Sequence, residues 1–209
     1  MEVPDVDPGW LAERLAAPAA GFGLALDDLQ LRRLGSYVSQ VLAWNRRINV
    51  TGAASAEQLV DAHLVDAFAL APHLPARAFS LVDVGSGAGL PGLVLAILRP
   101  DARVLLLEPI HKKQALLARV VRELGLEGVR SLPERLEAHL ARGPQSYDLA
   151  VSRATWPPAE WIERARPLVR EGGRILALEG AEAAALPAGA RRAAYAVGEA
   201  QRAVVVLDV

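Results

Sequence analysis

Residues 81–92 read LVDVGSGAGLPG, in which an apolar run is followed at once by glycines at alternate positions. The apolar run predicts a buried strand, and the ligands of doubly wound sheets bind at the carboxyl ends of such strands. Gly85, Gly87 and Gly89 would let the backbone approach a ligand closely because they carry no Cβ. The helix that we expect from about Leu90 would offer the free N–H groups of its first turn to the same ligand.

This loop is the first of several strand–helix alternations that continue towards the end of the chain. Segments with helical periodicity join five short apolar runs, which predicts right-handed crossovers and a parallel sheet covered on both sides. Only five residues separate the last two runs, so these should form an antiparallel hairpin. The predicted fold class is α/β, with a Rossmann-like, seven-stranded, mostly parallel sheet and an antiparallel C-terminal hairpin. The predicted strands are 80–84, 103–107, 128–132, 148–152, 174–178, 193–197 and 203–207.

The N-terminal third of the chain lacks strand patterning and predicts helices. Asp27 is the expected N-cap of a helix with apolar residues at the 3.6-residue period, and Ser55 opens a capping box before a second helix that continues through Phe68. We therefore predict an N-terminal helical segment, 1–76, that packs on the core, and a ligand-binding domain, 77–209. The two should form a single structural unit.

The composition limits the compartment and the partners of the chain. Of its 209 residues 52% are hydrophobic and 22% charged, and no apolar run approaches the roughly 18 residues that a membrane helix needs. The absence of cysteine excludes disulfides and thiolate metal sites, and the acidic N-terminus is unlike a signal peptide, so we expect a cytoplasmic protein. The net charge of −1 requires any nucleic-acid contact to come from a local basic patch. We expect no membrane partner. We also expect no bound metal ion, because the four histidines lack metal-ligand spacing, and we expect the chain to be a monomer.

Two nucleoside ligands compete for the glycine loop. A dinucleotide-binding fingerprint requires a glycine at its sixth position, where this chain has Leu90. The spacing D-x-G-x-G-x-G, from Asp83 to Gly89, instead looks like motif I of S-adenosylmethionine-dependent methyltransferases. Glu108, 19 residues beyond Gly89, can accept hydrogen bonds from the ribose hydroxyls of either ligand. A tight turn between strand and helix without any ligand is the remaining alternative.

Further motifs give a narrower resemblance that covers nearly the whole chain from about residue 26. The sequence resembles the bacterial small-subunit (16S) ribosomal RNA guanine-N7 methyltransferases, also known as the glucose-inhibited division protein B family. This resemblance implies a class I methyltransferase fold, S-adenosylmethionine as cofactor, and 16S ribosomal RNA or the small ribosomal subunit as partner. Guanine N7 carries a lone pair and no proton, so positioning without a general base would suffice. The motifs are WNRRINVT (44–51), H-x-x-D (63–66), DVGSGAGLPG (83–92), LLEPIHKK (106–113), ERLE (134–137), VSRA (151–154) and GGRILALEG (172–180).

The resemblance also implies residue roles, each of which has a simpler structural alternative. Arg135 and Arg153 are the expected catalytic and substrate-binding residues, although a solvated charge or a strand-end ion pair would explain them too. Lys112 and Lys113 could contact RNA phosphates, but an exposed helix face is the preferred interpretation. Trp156 and Trp161 should pack in the protein rather than stack on a base. The expected cofactor contacts are Asp83, Gly85, Ser86, Gly87, Gly89, Leu90, Glu108, Leu136 and Glu137. The expected additional substrate contacts are Asn49, His63, Asp66 and Arg202.

Three positions depart from the family pattern. Glu179 replaces a lysine, and Ala62 and Ala67 replace an arginine and a serine. If Glu179 faced the RNA, this reversal of charge would weaken binding, and Glu179→Lys would strengthen it. The departures keep two alternatives open, a methyltransferase for another RNA or a small molecule and a non-catalytic, cofactor-binding ribosome-associated protein. A nicotinamide-dependent oxidoreductase is disfavoured by Leu90.

Overall fold

The computed structural model describes residues 6–143, 145–180 and 184–209. Residues 1–5 of the predicted helical segment, and residues 144 and 181–183 of the predicted domain, lie outside the described residues. Within the described part, no helix combines the length and the apolar character that crossing a membrane requires.

Seven strands form one sheet in the order β3-β2-β1-β4-β5-β7-β6. The strands β1 to β5 are parallel, whereas β7 runs antiparallel to both of its neighbours, β5 and β6. The predicted α/β fold with its C-terminal hairpin is therefore confirmed. The strands are β1 Ser80–Val84, β2 Arg103–Leu107, β3 Val129–Leu132, β4 Tyr147–Arg153, β5 Val169–Glu179, β6 Arg191–Val197 and β7 Ala200–Asp208.

The helices follow the predicted start signals with one exception. Asp27 caps its helix in a full capping box, but the side chain of Gln58 accepts from Ala54 N–H instead of completing the box at Ser55. The predicted second helix is interrupted by a π-helical segment, Leu59–Leu64, which widens the turn before α4. The α-helices are α1 Pro8–Gly21, α2 Asp28–Asn45, α3 Ala56–Gln58, α4 Val65–Phe68, α5 Gly92–Leu98, α6 His111–Glu123, α7 Leu136–Leu140 and α8 Pro158–Ala165.

Alternate residues of the strands supply two apolar cores, one on each face of the sheet. In β4, Leu149 and Val151 join the core beneath α1, α2 and α4–α6, whereas Ala150 joins the core beneath α7 and α8. The first core is continuous from Leu15 of α1 to Val206 of β7. The N-terminal helices are thereby held against the sheet, while the division at residue 76 stays a prediction.

Candidate functional site

A cavity of about 1010 Å³ opens at the carboxyl ends of β1, β2 and β4. Because β1 lies between β2 and β4, the chain reverses its direction of winding at this point, where ligands of doubly wound sheets bind. The floor comes from the loops that follow these strands and β3. The loop Val50–Ala53 and the π-helical residues Ala62 and His63 form the opposite wall.

The three loop glycines have different structural roles. All have positive φ angles, 76° at Gly85, 59° at Gly87 and 100° at Gly89. Gly85 and Gly87 line the cavity, and a Cβ on Gly85 would collide with the side chain of Thr155. Gly89 is not part of the cavity lining, and a Cβ added there would collide with the side chain of Leu93. The bare backbone at Gly89 therefore permits close packing, while its cofactor contact stays a prediction.

Asp83 and the start of α5 lie beneath the glycine loop. Oδ2 of the fully buried Asp83 accepts a hydrogen bond of 2.9 Å from Gly92 N–H, and Ser86 Oγ donates to the Asp83 carbonyl oxygen over 2.9 Å. The helix begins at Gly92 rather than near Leu90, and its first N–H is occupied by Asp83. Asp83 is outside the cavity lining, whereas Ser86 and Leu90 are within it. The expectation of a free N–H group at the start of this helix is wrong, because Asp83 accepts from Gly92 N–H, whereas the cofactor contact of Asp83 stays a prediction.

Asp83 should make the stability of the fold depend on pH. Burial raises its pKa to about 7, although the hydrogen bond from Gly92 opposes the shift. A raised carboxyl pKa stabilises the folded state fully below the unfolded value and loses this contribution as pH rises towards 7. The free energy of unfolding of the wild type minus that of Asp83→Asn should therefore fall between pH 4 and 7, by up to about 1.4 kcal/mol per pH unit. Denaturant titration measures this difference, and a value independent of pH would mean an ionised Asp83.

Glu108 follows β2 and provides the one buried carboxylate that lines the cavity among the described residues. The residue is 3% exposed, and its Oε2 accepts from Gly87 N–H and its Oε1 from Ile110 N–H, both over 2.8 Å. Each oxygen of a carboxylate has two acceptor positions, so one on each remains for a ligand. Two acceptors side by side match the two hydroxyls of a ribose. Beside the bare backbone of Gly85 and Gly87, this group fits a nucleoside ligand.

The segment after β3 forms the rim next to Glu108. Leu136 is buried and lines the cavity, while Arg135 at the N-cap position of α7 and Glu137 in its first turn are exposed and also line it. Arg164 lies 3.3 Å from the Glu137 carboxylate. The structure thus brings all three predicted residues of this segment to the cavity.

Arg153 ends β4 at the edge of the cavity, opposite the glycine loop. Its Nη1 lies 2.7 Å from Nδ1 of His63 and 3.8 Å from Oδ2 of Asp66. Ala154 follows with a φ of 55°, which non-glycine residues rarely adopt, and this sharp turn brings the chain along the cavity wall. Arg153 and His63 are therefore placed together in the site, although 90 residues separate them in the sequence.

Asp66 lies behind Arg153, away from the cavity. The residue is 4% exposed, both carboxylate oxygens lie 2.6 Å from Nη1 of Arg202, and Oδ1 accepts from the Tyr195 hydroxyl over 2.8 Å. Neither Asp66 nor Arg202 lines the cavity. The two side chains form a partly buried ion pair, and Asp66 also lies close to Arg153. Their substrate contacts stay predictions. His63 and Asp66 are linked through Arg153, which lies close to both.

The loop over the cavity is held by Asn45. Its Oδ1 accepts from the N–H groups of Val50 and Thr51 over 2.9 and 3.1 Å, and its Nδ2 donates to the Ala53 carbonyl over 2.9 Å. Asn49 is exposed and lies outside the cavity lining, and its substrate contact stays a prediction. The motif WNRRINVT contains both asparagines, and sequence alone does not reveal which one turns inward.

Several cavity residues were not predicted to lie there. Lys113 lines the cavity, contrary to its predicted exposed face, whereas Lys112 is exposed as predicted. Trp156 also lines it, stacked at 5.7 Å on the buried Trp161 and covered by Arg164. The LLEPIHKK motif carried the signal for Lys113. For Trp156 and Arg164 we find no sequence signal.

Glu179, the residue that departs from the family pattern, lies outside the cavity. Its side chain is 4% exposed and accepts from Nε and Nη2 of Arg192 over 2.5 and 2.9 Å. The Arg192 guanidinium lowers the pKa of this carboxyl below its ordinary value. Because Arg192 neutralises this carboxylate, the weaker RNA binding that we expected if Glu179 faced the RNA does not follow.

Glu179→Lys should destabilise the fold and leave RNA affinity unchanged. The lysine would place a second cation against Arg192 in a buried position. We expect a loss of about 2–3 kcal/mol, below the cost of breaking a fully buried pair, because the Arg192 side chain is 31% exposed. Chemical denaturation measures the loss, with Glu199→Lys in the exposed turn before β7 as the control for charge reversal. Tighter RNA binding by Glu179→Lys alone would contradict this expectation.

The sequence model of the GidB family, described as rRNA small subunit methyltransferase G, matches residues 30–208. The chain belongs to this family. It is 39% identical over 196 residues to the ribosomal RNA small subunit methyltransferase G of Burkholderia multivorans, an alignment that covers 90% of this chain and 86% of the relative. It is 42% identical over 171 residues to the protein of the same name from Chromohalobacter salexigens, with coverages of 82% and 80%.

Two solved structures of lower sequence identity share the fold. A SAM dependent methyltransferase from Aquifex aeolicus superimposes with a TM-score of 0.54 at 16% identity, over 74% of this chain and 94% of that one. TrmN from Thermus thermophilus superimposes with a TM-score of 0.56 at 24% identity, over 71% of this chain and 50% of TrmN. At these identities the likeness concerns the fold. Together with membership of the GidB family, it confirms the predicted class I fold and the predicted enzyme class, a methyltransferase that uses S-adenosylmethionine.

Proposed function

We propose that this protein transfers a methyl group from S-adenosylmethionine to N7 of a guanine in small-subunit (16S) ribosomal RNA. One observation carries the proposal: in this member of the GidB family, a single cavity is lined by Glu108 and the glycine loop and also by Arg153 and His63. A small ribosomal subunit as substrate would place the enzyme in the cytoplasm. All these residues come from one chain, which supports a monomer as the active species.

The donor side of the site consists of the glycine loop, Glu108 and the rim after β3. S-adenosylmethionine, when bound, supplies a methyl group on a positively charged sulfur. Gly85 and Gly87 would give its amino-acid part access to the backbone, and the free acceptor positions of Glu108 would bind the ribose hydroxyls. Leu136 and Glu137 would lie beside the adenine. The family resemblance implies these roles, and the placement of the residues around the cavity supports them.

The acceptor side, where the methyl-accepting RNA would bind, is the edge of the cavity at the end of β4. Arg153 presents a planar set of N–H donors that suits a base edge or a phosphate, and His63 adds a second polar group beside it. Lys113 and Arg135 at the rim make no ion pair with any described residue, so they are available to RNA phosphates. Methylation at N7 removes no proton in the transfer step, so positioning by these groups would supply most of the rate.

Labelled S-adenosylmethionine and small ribosomal subunits from a strain that lacks the family enzyme provide the test. We expect label on one guanine, recovered as N7-methylguanosine after digestion of the 16S RNA. Calorimetry with S-adenosylhomocysteine, the demethylated cofactor, checks the donor side separately. Binding without transfer would favour an enzyme for another RNA or a small molecule, or a non-catalytic ribosome-associated protein. No binding at all would overturn the cofactor assignment as well.

A further inference from the structure

Arg153 fixes the position of the hydrogen on the His63 ring. Its Nη1 lies 2.7 Å from Nδ1 of His63, and a guanidinium group has only N–H donors and no acceptor. Nδ1 must therefore accept this hydrogen bond with its lone pair. A neutral imidazole whose Nδ1 is an acceptor carries its hydrogen on Nε2.

The surroundings keep this ring uncharged at neutral pH. Burial, followed by the positive charge of Arg153, lowers the pKa of His63 to about 4. Asp66 opposes this shift, and Arg202 adds to it. The carboxylate of Asp66 is itself held by Arg202 and Tyr195, so it does not compete for the ring. The Nε2–H group therefore remains a donor over the whole range in which the enzyme could be assayed.

Nε2 of His63 is not enclosed by the described residues, and its residue lines the cavity. His63 lines the cavity together with Arg153. Among the described residues Nε2 has no hydrogen-bond partner, yet it is not one of their enclosed polar atoms without a partner. The group is consequently accessible from the cavity and available to a ligand.

The Hoogsteen edges of the purines differ in what they offer to a fixed donor. Guanine presents two acceptors, N7 and O6, whereas adenine presents the acceptor N7 beside the N6 amino donor. We propose that His63 is a specificity-determining residue, whose Nε2–H donates to O6 of the target guanine beside the N7 that receives the methyl group. This inference rests on the proposed function. Adenine would bring its amino group against the donor, and the contact with Arg153 prevents the ring from exchanging tautomers.

Two substitutions of His63 test the roles of its two ring nitrogens, Nδ1 and Nε2, separately. His63→Asn places an amide oxygen close to the position of Nδ1, which preserves an acceptor for Arg153 but removes the donor at Nε2. His63→Gln places an amide nitrogen close to the position of Nε2, which preserves the donor but weakens the contact with Arg153. A residue that merely supports Arg153 would be more sensitive to Gln, whereas a residue that recognises the base is more sensitive to Asn.

The readout is discrimination against a base without O6. Small subunits are assembled from 16S RNA in which the methylated guanine, once mapped, is replaced by 2-aminopurine, which keeps N7 and the N2 amine. For the wild type we expect kcat/KM to be roughly ten- to a hundredfold higher on guanine than on 2-aminopurine. His63→Asn should lose the part of this preference that comes from recognition of O6, and His63→Gln should retain the wild-type preference within about threefold. The altered nucleophilicity of N7 in 2-aminopurine affects all three proteins alike and cancels in the comparison.

The outcomes distinguish this inference from the proposed function. Thermal unfolding and calorimetry with S-adenosylhomocysteine should give the same values for the wild type and both variants, which excludes misfolding. If the wild type methylates guanine but His63→Asn keeps the full preference over 2-aminopurine, His63 does not recognise O6 and the inference is wrong. If the wild type transfers no methyl group to guanine-bearing subunits, the proposed function fails, and the inference fails with it.

Discussion

Glu108→Ala is expected to weaken the binding of S-adenosylmethionine by about 10²- to 10⁴-fold. Two hydrogen bonds from ribose hydroxyls to a carboxylate are each worth roughly 1.5–3 kcal/mol, and both would be lost. The substitution would also remove the acceptors of Gly87 N–H and Ile110 N–H, so the loop would lose the contacts that hold it beside β2. Calorimetry with the cofactor and with S-adenosylhomocysteine measures the loss.

One further variant separates the charge of Glu108 from its shape, and a second serves as a control at an exposed site. Glu108→Gln keeps one acceptor oxygen and the side-chain volume, so an intermediate loss of about 10- to 100-fold is expected. Glu127→Ala removes an exposed carboxylate after α6, outside the cavity lining, and should leave the affinity unchanged. Equal affinities for Glu108→Ala and the wild type would show that the ribose does not bind at this carboxylate.

Arg153→Ala is expected to reduce kcat/KM for methyl transfer to small subunits by about 10²- to 10⁴-fold, while cofactor affinity changes by about tenfold or less. The variant would lose the donors that face the acceptor side of the cavity. It would also release Nδ1 of His63 and leave Arg202 as the one described cation close to the Asp66 carboxylate. Label transfer at several subunit concentrations separates the effects on kcat and KM.

Arg153→Lys tests whether positive charge alone is sufficient. A lysine has a compact ammonium group and cannot contact His63, the Asp66 carboxylate and a substrate in one plane, so we expect it to recover little of the activity. Arg166→Ala, an exposed site outside the cavity lining, should behave as the wild type and controls for loss of a cation. Full activity of Arg153→Lys would reduce the role of this residue to general electrostatic attraction.

The cavity was predictable because its elements are encoded locally. Glycine spacing after an apolar run, a carboxylate at the end of the next run and arginine at the end of a later one all place their residues at the same sheet edge, since parallel strands share a direction. Gly85, Gly87, Glu108 and Arg153, which line the cavity, were predicted in this way, whereas Arg135 was predicted from the family resemblance. The side chains outside the cavity lining belong to residues near these motifs that turn away from it.

No local sequence pattern could reveal which residue forms an ion pair with each charged side chain. From the sequence alone, Glu179 suggested the loss of a contact with RNA. In the structure, Arg192 of β6 neutralises the Glu179 carboxylate. Asp66 and Arg202 are separated by 136 residues, and they meet because β7 inserts beside β5 under the N-terminal helices. A buried charge must find an opposite charge, but the sequence does not say which one.

By itself the sequence determined the α/β sheet, the family and the position of the glycine loop at the sheet edge, because hydrophobic periodicity and glycine spacing act over a few residues. The tertiary structure alone decided which polar groups reach the cavity: it buried Asp83 and Asp66, selected Asn45 over Asn49, and paired Arg153 with His63. The physical reason is that burial and ion pairing depend on side-chain contacts between distant segments, which exist only once the helices and the sheet have packed together.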